Sequence, residues 1–84
     1  MTDLIPPQSP DTWLSAAFSS TTATSGGVIK RRLSDIDRIV GRDRFLGEVR
    51  ERGFQAIENG DTIIVFCNHA PVKLAAPRAV ALHG

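Results

Sequence analysis

Few side chains in this 84-residue chain are spaced to do chemistry. Cys67 and His69 lie two positions apart, so on an extended strand both project from one face. Such a pair could begin a metal site or form a thiolate–imidazole nucleophile. The other histidine is His83, near the end of the chain, and no second cysteine exists. The preferred reading is a core thiol beside a turn histidine, because cysteine is among the most often buried residues. No metal and no cofactor is expected. Glu58 and Asp61 flank Asn59-Gly60, and as opposed carboxylates they could hold a cation or share a proton. At the tip of a turn, solvated charges are the expected state. G-x-S-x-G, HExxH, Walker and dinucleotide fingerprints are all missing from the sequence. Spacing forces no two catalytic groups together, so the chain is not expected to be an enzyme.

Two stretches could bind. The first is basic: eight of the ten Lys and Arg residues fall between Lys30 and Arg52, against five acids. Lys30, Arg31, Arg32, Arg38, Arg42 and Arg44 could contact phosphates. The interleaved acids, a net charge of only +1 and the lack of an exposed aromatic in the run favour a solvated mixed-charge surface. The second is the apolar stripe Trp13, Leu14, Ala17, Phe18 at helical spacing. Either it packs on a sheet as core, or Trp13, Leu14 and Phe18 form an amphipathic anchor for a partner groove.

The element that would position everything else is the run from Phe54 to Cys67. Two β-prone segments flank Asn59-Gly60, a strong hairpin signal for a type I′ turn. That turn would set Glu58 opposite Asp61, Ala56 opposite Ile63 and Phe54 opposite Val65. Ile63 to Cys67 is apolar on both faces, which predicts a central strand covered above and below. Val28 to Leu33 reads as another strand, its tandem basic residues suiting an edge.

Helices are expected around it. Ser9 caps and Pro10 opens a helix over 10–18, with Asp11 in its first turn. Ser34 caps a second over about 34–40, whose stripe is Ile36, Ile39 and Val40. Continued past Gly41, that stripe would fall opposite Phe45 and Val49, so a second helix over about 43–52 is preferred, capped by Asp43 and ending at Gly53. Val72 to Ala75 alternates and could add a short strand. Residues 1–9 read as a disordered lead, 19–27 as a flexible linker, 28–76 as a compact domain and 77–84 as a frayed tail. The fold class is α+β: a small antiparallel sheet, two short helices and an N-terminal amphipathic helix.

The lone cysteine excludes an internal disulfide and suits a reducing, cytoplasmic setting. The N-terminus has no basic region followed by an apolar one, so no signal peptide is expected, and no run approaches the ~20 apolar residues of a membrane span.

The order helix, Arg52-Gly53-Phe54, strand, tight turn, strand superficially resembles the small HicA-type RNA-cleaving toxins. Their motif places a catalytic histidine after a Gly-Ser at the hairpin. Asn59-Gly60-Asp61 holds no histidine, so that activity does not carry over. Over residues 26–74, "GGVIKRRLSDIDRIVGRDRFLGEVRERGF" followed by "ENG" and "IVFCN" is similar to a group of short bacterial proteins, some of them labelled phosphoribosylanthranilate isomerase. An isomerase of that name is a (β/α)₈ barrel of about 250 residues, which 84 residues cannot build. The resemblance implies kinship and no activity.

The sequence thus points to a small regulatory or accessory protein that acts by binding a protein partner. The alternative is a nucleic-acid-binding regulator using segment 30–44. An exposed basic edge leaves homodimerisation by strand pairing open.

Overall fold

The computed structural model describes residues 9–76, so the expectations for 1–8 and 77–84 lie outside the described residues. Seven elements follow in order: α1 (Pro10–Phe18), α2 (Thr21–Thr24), β1 (Val28–Arg32), α3 (Leu33–Ile39), α4 (Arg42–Glu51), β2 (Gln55–Asn59) and β3 (Thr62–Phe66). The strands form one antiparallel sheet in the order β1-β3-β2. The fold is therefore α+β, with the most apolar strand in the middle and the basic strand at an edge.

The hairpin register differs from the expected one. Asn59 pairs with Thr62, Ala56 with Val65 and Gln55 with Phe66. The two central residues of the turn are Gly60 and Asp61 rather than Asn59 and Gly60. Gly60 has φ +61° and no other residue type in the described chain takes a positive φ. A positive φ at the first central position alone is the requirement of a type II′ turn, met by glycine. A slip of two positions leaves each side chain on its expected face, because strand side chains alternate with period two. Ala56, Ile63 and Val65 still share one face, and Ile57, Ile64 and Phe66 the other.

The faces are treated differently. Ile29, Ile63, Val65 and Cys67 point to one side and are buried there with Leu14, Ala17, Phe18, Ala23, Leu33, Ile36, Phe45 and Val49 in a single cluster. All four helices contribute to that layer except through their polar faces. Phe18 joins it through Phe45 and Phe54, with ring centroids 5.8 and 6.2 Å apart, and Trp13 meets Phe45 edge-on at 6.0 Å. The expected cover on both faces of the central strand is thus corrected to one. The apolar stripes of α1, α3 and α4 all converge on the same side, and among the described residues no helix is left for the other.

Local signals explain the helix limits. Ser9 accepts from the Thr12 N–H at 3.1 Å and caps α1 as expected. Gly41 separates α3 from α4, which lets Ile36 and Phe45, both fully buried, face one core. Ser34 and Asp43 are not caps. The Leu33 N–H already donates to the Asp61 carbonyl at 2.7 Å, so α3 begins directly off β1 and the Ser34 hydroxyl instead donates to the Asp61 carboxylate at 3.3 Å. α4 closes with the Gly53 N–H on the Arg50 carbonyl and the Phe54 N–H on the Val49 carbonyl, both 3.0 Å, a Schellman pair.

The stretch read as a flexible linker is structured. Ser20 caps α2 and Ala23 is buried. A Cβ at Gly27 would stand 2.9 Å from Thr22 Cγ2 and 3.0 Å from the Thr22 carbonyl, so the chain passes this point only without a side chain. Asn68 Nδ2 donates to the Gly26 carbonyl at 3.0 Å and the Cys67 N–H to the Gly27 carbonyl at 2.9 Å, stitching the segment to the end of β3. Residues 72–75 form no strand.

Candidate functional site

The face of the sheet that the described residues leave without a helical cover is the candidate site. Antiparallel partners project to the same side, so the register assigns its members. β1 supplies Val28, Lys30 and Arg32, β3 supplies Thr62, Ile64 and Phe66, and β2 supplies Gln55, Ile57 and Asn59. Val28 is 40% exposed and Ile57 41%, while Ile64 and Phe66 are half-buried. Along one margin runs the segment 70–74. The Val72 N–H donates to Gln55 Oε1 at 2.6 Å, which fixes this segment beside β2. Between it and the sheet lies a cleft of ≈ 630 Å³ lined by Ile57, Phe66, Pro71, Val72 and Leu74 among others. Leu74 is 75% exposed. Large apolar side chains left open to water in a contiguous patch are the usual mark of a contact surface.

The residues expected to form an anchor lie elsewhere. Leu14 and Phe18 are buried in the core and Trp13 packs against it. The helix they belong to is a structural wall, with no free apolar stripe for a partner.

The basic residues do not form one surface. Lys30 and Arg32 flank the open face. Arg31 points to the helix side, its guanidinium 6.0 Å from the centre of the Trp13 ring. Arg38 pairs with Asp35 at 2.8 Å, and Arg42 grips Asp37 with two bonds of 2.8 and 3.1 Å, a contact that raises the guanidinium pKa further. Arg44 pairs with Asp11 across α4 and α1. Each of these three helix arginines already faces a carboxylate, so the row read as a phosphate contact is divided among three surroundings.

Cys67 and His69 are also separated by environment. The Cys67 thiol is buried, 3.9 Å from the Val65 carbonyl, and burial raises its pKa, with Arg31 and Arg52 pulling weakly the other way. A protonated core thiol is a poor nucleophile. His69 is exposed, its Nε2 3.2 Å from the Arg52 carbonyl and its ring 5.9 Å from Phe54. Among the described residues no three His, Cys, Asp or Glu side chains converge as a metal site would require, and no helix is long and apolar enough to cross a membrane.

Sequence reasoning saw the apolar residues of the open face and assigned them a cover. The signal against that cover was present in the helices: each offers one stripe, and those stripes suffice for a single layer. No family model, curated protein or solved structure matches the chain.

Proposed function

We propose that this chain acts as a protein-binding module, regulatory or accessory in role, whose contact surface is the open face of the sheet. One observation carries the reading: the central strand is apolar on both sides, yet every helix among the described residues lies on one side, leaving Val28, Ile57, Ile64 and Phe66 without a helical cover there. A small domain gains little by keeping such side chains in water. Burying the remaining exposed apolar area of this face against a partner would contribute about 25 cal/mol for each Å² removed from water.

Nucleic-acid binding is the weaker reading, because three of the six arginine and lysine positions that would serve it are paired with carboxylates. The test is a photo-reactive amino acid placed at position 57, with a second placement at position 35 on the helical layer. A covalent adduct with a second kind of polypeptide, formed from 57 and not from 35, supports the proposal. No adduct from 57, or equal yield from both positions, overturns it.

A further inference from the structure

Among the described residues, negative charge is confined to the helical layer, where much of it is paired with arginines. The acids of α1, α3 and α4 all belong to the helical layer. The two strand-region acids turn the same way: Glu58 shares the face of Ile63 and lies 3.9 Å from Arg42, and Asp61 accepts from Ser34. The open face carries Lys30 and Arg32 on β1, and Lys73 on the segment across the cleft. Among the described residues, its charged side chains are all cationic. An apolar floor of Val28, Ile57, Ile64 and Phe66 thus lies between basic margins.

Resting on the protein-binding reading, we propose that the occupant of this face is an extended acidic segment of a partner protein, with apolar side chains alternating with carboxylates. An extended peptide presents alternate side chains to opposite sides, so its apolar set meets the apolar floor of the open face. Its carboxylates then project from the far side of the segment, where the long side chains of Lys30 and Arg32 from one margin and Lys73 from the other attract them. The match is electrostatic as well as apolar, which favours encounter with acidic segments and repels basic ones. A nucleic acid would satisfy the cations but not the aliphatic floor, where Phe66 is the sole aromatic ring offered for stacking.

The test uses the full chain and three probes: a short peptide alternating Val with Glu, the same peptide with Lys for Glu, and a short single-stranded RNA. Binding is read from the methyl resonances of Val28, Ile57 and Ile64. The acidic peptide is expected to shift them, with affinity falling as salt rises. The double variant K30E/R32E, whose sites are exposed, is expected to weaken the acidic peptide by about tenfold and to gain affinity for the lysine peptide. That reversal is the control against a variant that has simply lost its fold. Equal binding of both peptides, no binding of the acidic one, preference for the RNA, or shifts that follow the protein's own concentration and mark a second copy on the face would each overturn the proposal. Adduct formation from position 57 without acidic-peptide binding would sink only the acidic class. Failure of both experiments would sink the protein-binding reading with it.

Discussion

Replacing Phe18 by Ala tests whether α1 is part of the fold. Phe18 is 5% exposed, its ring lies against Phe45 and Phe54, and the Arg52 guanidinium stands 4.6 Å from its centre. Phe→Ala at such a site costs about 3–5 kcal/mol, from lost transfer energy and the cavity left behind. A chain of 84 residues at about 0.05–0.15 kcal/mol per residue has a total stability of roughly 4–13 kcal/mol. The substitution therefore removes between about a quarter of it and all of it. With a urea dependence of about 1 kcal/mol per molar, the midpoint falls by about 3–5 M or the chain is unfolded in buffer. Urea unfolding followed by far-UV circular dichroism and by emission of Trp13, the single tryptophan, measures this. Phe18→Leu retains much of the volume and is expected to cost about 1–2 kcal/mol, which gives a measurable transition if the alanine variant has none. A loss under about 1 kcal/mol for Phe18→Ala, with unchanged urea dependence, would refute the reasoning and return α1 to the role of a detachable helix.

Two further outcomes are expected. Ile57→Asp should stay folded, within about 1 kcal/mol of the parent, whereas Ile63→Asp, at a site 1% exposed, should abolish the transition by burying an unpaired charge; paired urea melts decide. The Cys67 thiol is held above its ordinary pKa of 9.0 by burial, so the folded state keeps its proton longer than the unfolded state. Stability from this group is therefore complete below about 9 and is lost as pH rises from there toward the folded value; the parent should lose stability faster than Cys67→Ala in that range, and identical slopes would contradict the burial.

The helix limits were legible because local signals decide them. Ser9-Pro10 marks the start of α1, Gly41 breaks what would otherwise need two buried stripes, and Gly53 ends α4. The centrality of Thr62–Phe66 followed from the unbroken apolar run Ile63 to Cys67. Three features were not legible. The turn uses Gly60-Asp61 because pairing of β1 and the start of α3 both engage Asp61, a tertiary demand that local turn preference does not contain. The Ser/Thr/Gly stretch before β1 is ordered by a buried methyl group, Ala23, and by bonds from Asn68 and Cys67, more than forty positions away in the chain for Asn68 to Gly26. The candidate site was visible as apolar residues, but not as a surface. Which side the helices take is set by the convergence of three stripes, and only then does the opposite face emerge as open. Arg31 shows the same limit: in sequence it belongs with Lys30 and Arg32, while strand alternation sends it to Trp13.

The proposed contact surface requires a sheet with one buried and one open face. Line broadening of methyl resonances by a small neutral nitroxide dissolved in the sample reads this asymmetry without any substitution. Broadening of Val28, Ile57 and Ile64, with Ile29, Ile63 and Val65 spared, is the predicted pattern. Equal protection of both sets would mean that the second face is covered in the free protein, and the proposed contact surface would not exist.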